Sequence, residues 1–311
     1  MSNNKPIYLS VITAKKPNRL SKHFTLKNGE LKKSPGGQLA EGNVRVGHIL
    51  NLSELGKLIE SLTADQALCY GIPSISSAKI VTKDTLAEMV DKTGYISRTP
   101  DYFSWSNGPG ILMLDYDPED GQEALGRDEL VAELRRAVPA LGDTEMLWAP
   151  SASSYIINES TGQDHSGLRG QRLYIAVANA SDIPRVGKAI ETMLWASGNG
   201  YFKVSKSGTL LSRTLVDGCV WQENRLDFAA GASCEAPLIQ KRGRPVLIEG
   251  KVKILDTLKA VPDPDQTIVK IADVRITEAK RSKEPQLFAR SLPQPQLSVL
   301  TRQPSQAASL C

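Results

Sequence analysis

No stretch of this 311-residue chain approaches the roughly 20 consecutive apolar residues of a membrane span, and its polar start, MSNNKPIYLS, has no apolar segment of the secretory kind. The expectation is a cytoplasmic chain without a membrane partner. Cysteine is scarce: Cys69, Cys219, Cys234 and Cys311 are scattered with no C-x-x-C pair, which argues against a disulfide framework or a cysteine zinc site. Histidine is scarcer still, and the three present have no spacing to a serine or cysteine that marks a nucleophilic enzyme. No Gly-x-x-x-x-Gly-Lys loop occurs, so a helicase motor is not expected within these residues. Aromatic residues make up only 5% of the chain, few for a base-stacking platform, although Tyr102, Phe103 and Trp105 lie close together.

The net charge of +4 conceals an uneven distribution. Residues 1–45 carry 9 basic and 2 acidic groups, residues 239–311 carry 13 and 7, and residues 46–238 carry 16 and 25. Basic flanks around an acidic centre suit a protein that attracts a polyanion and holds divalent cations, and equally suit an unevenly charged surface.

Four regions are expected. Residues 1–45 read as a basic, irregular arm or small hairpin, 46–238 as the core, 239–279 as a basic extension of it, and 280–311 as a disordered tail rich in Pro, Gln and Ser. Within the core, Leu52, Leu55, Leu58, Ile59 and Leu62 recur at helical spacing behind Asn51 and Ser53. Further helices are expected over Lys83–Lys92, over Arg127–Val138, and, capped by Ser181 or Asp182, up to Ala196 with Pro184 in the first turn and Gly198 as the stop. Strands are expected at Ala67–Ile72, Ile111–Leu114, Glu145–Ala149, Tyr155–Asn158, Leu173–Val177, Tyr201–Ser205 and Leu226–Ala229. This interleaving lacks steady β-α alternation, so the predicted class is α+β with a mixed or antiparallel sheet.

The sharpest signal is GILMLDYDPEDG at Gly110–Gly121. Its apolar run fits a strand buried on both faces, and Asp115 and Asp117, two apart, project to the same side at its end. Adjacent carboxylates repel unless a cation lies between them, and hard Mg²⁺ or Mn²⁺ takes carboxylate oxygens together with substrate phosphates. The alternative is a polar turn after a strand. Downstream, Ser151, Ser153 and Ser154, the glycines Gly167 and Gly170, and Arg169 and Arg172 are a suitable set for triphosphate oxygens, or a plain surface loop. Then LSRTLVDGCVWQENRLDFAAG offers Asp217 and Asp227 with Arg213 and Arg225, cations for phosphate or template or for ion pairs to those acids.

This order, strand-DYDP, then a Ser/Gly-rich segment entering R-x-Y, then R-T-L-V-D and R-L-D-F, resembles the archaeo-eukaryotic primase superfamily over roughly residues 97–237. It is most similar to the primase-polymerase domains of plasmids and phages. The resemblance implies an N-terminal αβ module packed on an RRM-like module, with an acidic cleft between them. It implies metal-dependent nucleotidyl transfer on single-stranded DNA from nucleoside triphosphates, with a helicase supplied in trans. Asp115 and Asp117 map onto the first acidic motif as catalytic metal ligands. Asp217, or Asp227 as second choice, maps onto the single acid further on. Where the family has serine-x-histidine or glycine-x-histidine, this chain has Gly170-Gln171-Arg172, so arginine stands in the place of the phosphate-contacting histidine. A guanidinium can keep that role, since it is permanently charged and binds phosphate bidentately; the change can equally mean weakened or lost polymerisation. Arg172, Ser153 and Ser154 are then the expected triphosphate ligands, with Arg169, Arg213, Arg225 and Arg98 as further candidates. His165 lies upstream of the strand, and His23 and His48 are read as structural or surface residues. The competing expectation is a replication-initiation or single-strand-binding protein that keeps the fold without the chemistry; a nuclease or cyclase on a similar acidic strand is a third.

Overall fold

The computed structural model describes residues 5–36, 39–119, 121–205 and 207–291, with side chains as far as residue 283. The strand Ile7–Ala14 is buried on both faces, Ile7 and Leu9 in the main core and Ile12 and Ala14 in a second cluster. That strand lies inside a five-stranded sheet, in the order Gln66–Cys69, Ile7–Ala14, Glu41–Ile49, Ser77–Val81 and Tyr95–Ser97, antiparallel except for the last pair. Residues 1–45, expected as a basic arm or small hairpin, hold the strand Ile7–Ala14, a hairpin and the start of Glu41–Ile49. The hairpin joins His23–Lys27 to Glu30–Ser34 through Asn28 (φ 53°) and Gly29 (φ 80°), the pair of positive φ angles that a tight two-residue turn requires. Ser233–Cys234 lies parallel beside it.

The second large sheet is wholly antiparallel, in the order Gly110–Tyr116, Gln171–Val177, Met146–Pro150 and Val246–Ile248. Its last strand comes from the presumed extension 239–279, which therefore completes the core sheet. Two faces follow from the register. On one, Asp115 stands opposite Arg172, Met113 opposite Tyr174, and Tyr174 opposite Leu147. The helix Leu52–Ser61 covers this face at Gly56, where an added Cβ would stand 3.4 Å from Leu147 Cδ1. As predicted, Asn51 caps that helix by accepting from the amide of Glu54 at 3.0 Å. On the other face Gly110 lies against Ala180 and Ile183 at the start of the helix Ile183–Ala196, and the helix Arg127–Ala137 places Arg127 over the Trp148 ring.

Side chains of both sheets, among them Ile7, Leu9, Leu68, Leu112, Leu147 and Tyr174, share one hydrophobic core. A smaller cluster of Trp195, Phe202 and Ala272 fastens the hairpin of Gly200–Val204 and Leu210–Thr214 to the helix Gln266–Ser291. That helix corrects the expected tail over residues 280–291; residues 292–311 lie outside the described ones. The helix at Lys83 ends at Glu88, and Leu226–Ala229 makes a single bridge, Leu68 to Asp227, in place of the expected strand. The chain is α+β, and among the described residues no helix is long and apolar enough to cross a membrane.

Candidate acidic site at the end of an edge strand

Ile111–Leu114 is buried as the apolar run predicts, and Gly110–Tyr116 is the edge strand of its sheet. Asp115 is about a quarter exposed, while Asp117, just past the strand, is exposed. Two interactions tie the strand to a later segment. The amide of Asp217 donates to the Asp115 carbonyl at 2.8 Å, and the Trp221 indole donates to the Met113 carbonyl at 2.9 Å. The Asp217 carboxylate accepts from the Cys219 amide at 3.0 Å, shaping the short turn Gly218–Val220. Asp115 and Asp217, distant in sequence, are thus joined by the backbone.

Arg172 stands across from Asp115. Its Nε is 3.5 Å from Asp115 Oδ1 and 3.0 Å from Asp227 Oδ1, and its Nη1 donates to the Phe228 carbonyl at 3.2 Å. The side chain of Asp227 is fully buried, and its Oδ2 accepts from the hydroxyls of Tyr70 at 2.7 Å and Tyr174 at 2.9 Å. Burial opposes the charge on Arg172, but Asp227 and Asp115 outweigh it and hold the guanidinium above the ordinary arginine range. Burial raises the Asp115 carboxyl; Arg172 pulls it back, and Asp227, Asp117 and Asp217 push it up again. The same burial, reinforced by Asp227, lifts both tyrosine hydroxyls well above their usual range.

The serine loop closes over the site from one side. Gly170 touches it closely: an added Cβ would stand 3.0 Å from both Asp117 Oδ1 and Ser151 Oγ. Ser154 is buried and employed within the loop, donating to the Gly170 carbonyl and accepting from the Arg169 amide. Ser153 accepts from Lys22 Nζ at 2.6 Å. Arg169 reaches the Gln122 carbonyl at 3.4 Å, and Arg98 binds the Asn224 carbonyl at 2.8 Å. Arg225 is exposed. Two depressions flank the hairpin Gly200–Thr214. One, of about 490 Å³, is lined by Asp117, Glu119, Asn199, Tyr201 and Lys283; the other, of about 300 Å³, by Asp217, Arg213, Lys188 and Glu191. His23 bonds Ser233 and Glu235, His48 stacks near Tyr8, and neither reaches the acids.

The structure therefore gathers Asp115, Asp117, Asp217, Asp227, Arg172 and the serine loop. Arg213 lines the same depression as Asp217, and Arg225 lies exposed on the surrounding surface. Three residues escaped the sequence: Lys22, Tyr70 and Tyr174. Only Tyr174 carried a signal, as the residue sharing a strand face with Arg172.

Asp115, Asp117 and Asp217 offer the hard oxygen donors that Mg²⁺ or Mn²⁺ takes, and their repulsion, felt at Asp115, is of the kind a cation relieves. Among the described residues no three acidic, histidine or cysteine side chains converge closely enough to hold a metal. Comparison with protein-family models, curated proteins and solved structures returned no match.

Proposed function

We propose that this chain is a primase-polymerase that joins nucleotides on a single-stranded DNA template, with Asp115, Asp117 and Asp217 as its acids. The observation that carries this reading is the backbone bond between Asp217 and Asp115, which brings a third acid beside the strand end bearing the other two. The order of elements adds support. From Gly110 to Ala196 the main elements run strand, helix, strand, strand, helix, and the first, third and second strands lie side by side, as in an RRM-like module. Val246–Ile248 then flanks the second strand, so the likeness is to the βαββα part.

In this reading Asp227 is the structural acid. It is buried, with two tyrosines on Oδ2 and Arg172 at ion-pair distance from Oδ1, whereas Asp217 lines a depression. Arg172 orients Asp115 and balances its charge. Asp115, Asp117 and Asp217 would hold Mg²⁺ or Mn²⁺ only by drawing closer together than they stand here, and the ion would then supply positive charge for a 3′-hydroxyl and a departing pyrophosphate. The loop amides and Ser153 would hold the triphosphate beside them, so the chain contributes positioning and electrostatics and forms no covalent intermediate.

A second reading, a strand-binding protein on the same fold, is favoured by one observation: the guanidinium against Asp115 takes up charge that a cation would otherwise neutralise. One experiment separates the two. The protein is incubated with Mn²⁺, labelled nucleoside triphosphates and a single-stranded template. The expected result is a ladder of products that is lost in Asp115→Ala/Asp117→Ala. Strand binding without product from the unmutated protein would establish the second reading instead.

A further inference from the structure

Lys22 lies in the region expected to be a basic arm, yet its ammonium points into the acidic site. The backbone around it is fixed: the amides of Leu20 and Ser21 donate to the Ala64 carbonyl at 2.8 and 2.9 Å, and the Lys22 carbonyl accepts from Ser233 at 2.9 Å. Its Nζ donates to Ser153 Oγ at 2.6 Å. An ammonium has three donors, and among the described residues no carboxylate stands within ion-pair distance of this one. It feels Asp117 and Asp115 as attracting neighbours and Lys33 and Arg172 as repelling ones. A largely buried cation with one neutral partner and spare donors, held rigid beside a pair of acids, is prepared for an anion. The other nearby cation is already committed, because Arg172 is locked between Asp115 and Asp227.

We propose that Lys22, docked on Ser153, is the cation that grips the phosphate chain of the incoming nucleotide, the task that Arg172 cannot perform from its buried ion pairs. This rests on the primase-polymerase reading of the site. Lys22 precedes the hairpin strand His23–Lys27 and binds Ser153 of the serine loop, so the N-terminal region would supply part of the nucleotide pocket.

The test uses the full chain with Mn²⁺ and two probes, dATP and inorganic tripolyphosphate, by titration calorimetry. The unmutated protein is expected to bind both. Lys22→Ala should weaken both by about tenfold or more, as loss of a charge-assisted contact predicts. Lys22→Arg should restore most of the affinity, and template binding should change far less. Equal affinity in Lys22→Ala, or a tighter grip on Mn²⁺ alone with triphosphate binding unchanged, would overturn the proposal and make Lys22 a mere countercharge. A measurement on the unmutated chain guards against misfolded variants: tripolyphosphate should protect Lys22 from acetylation, read by peptide mass, and absence of protection rejects the assignment. If neither probe binds the unmutated protein while single-stranded DNA does, the function proposed above fails and this inference falls with it.

Discussion

Tyr70 and Tyr174, one following the edge strand Gln66–Cys69 of the first sheet and the other inside the second, donate their hydroxyls to the same oxygen of Asp227. The junction between the sheets is therefore made by a buried carboxylate whose other oxygen faces Arg172. Its position next to the acidic site makes the two easy to confuse, and the predictions separate them.

Asp227→Asn should act on stability. Removing one partner of a buried ion pair costs about 3–5 kcal/mol, because the remaining charge is left without compensation. Urea unfolding is expected to show a loss near the low end of that range, since the amide keeps part of the hydrogen bonding. Tyr70→Phe or Tyr174→Phe should each cost about 1 kcal/mol. Lost nucleotide transfer at unchanged unfolding free energy would instead make Asp227 the third catalytic acid.

Gly170→Ala probes the position of Asp117. The new methyl would press on Asp117 Oδ1 and Ser151 Oγ, both ends of movable side chains, so the fold should accommodate it. Misplacing a reacting group by a fraction of an ångström is costly to rate, and a drop of about tenfold in primer synthesis is expected. The thermal midpoint should hardly move. Unimpaired synthesis would show that the placement of Asp117 is not critical.

Gly187→Ala sets helix propensity against packing. Alanine normally gains about 1 kcal/mol over glycine inside a helix. Here its Cβ would come within 2.3 Å of the Trp221 ring, which is anchored to the Met113 carbonyl. Overpacking of about 1–3 kcal/mol should prevail. A net fall in the calorimetric midpoint is expected; a rise would mean that the indole has room to retreat.

Lys22 predicts a pH dependence. Burial, helped by Lys33 and Arg172 and opposed by Asp117 and Asp115, holds its ammonium below the ordinary lysine range. The unfolded chain then binds the proton more tightly than the folded one, so the charged form opposes folding below the folded pKa. That opposition fades as pH rises towards about 10.4, where an unfolded lysine also loses its proton. Lys22→Met should therefore raise the unfolding midpoint at neutral pH, with a gain that shrinks in alkaline buffer. A gain that grows with pH would contradict the sign.

Periodicity and caps made the helices at Leu52, Arg127 and Ile183 legible, and the unbroken apolar run made the acid-bearing strand legible. Ile7–Ala14 is largely apolar, but the lysines, prolines and glycines that follow it read as irregular, because composition says nothing of the partner strand Glu41–Ile49. In the hairpin of His23–Lys27 and Glu30–Ser34 only Phe24 is buried, with Leu26 and Leu31 partly packed around it, so the lysines looked like a solvated surface. Leu226–Ala229 has strand-like residues without a neighbour to pair with beyond one bridge. At the site, the D-x-D spacing placed Asp115 and Asp117. The choice between Asp217 and Asp227 needed burial, which no spacing encodes, and Lys22 needed a contact with a residue 131 positions away.

Gly110–Tyr116 ends its sheet, and an exposed border of that kind invites a stranger's backbone to extend it. The carbonyls of Met113 and Asp115 are already taken, by an indole and an amide from the same short segment. The clasp that seats Asp217 thus also seals the sheet's flank, so loosening it by trimming Trp221 should release self-association together with the loss of the site's shape.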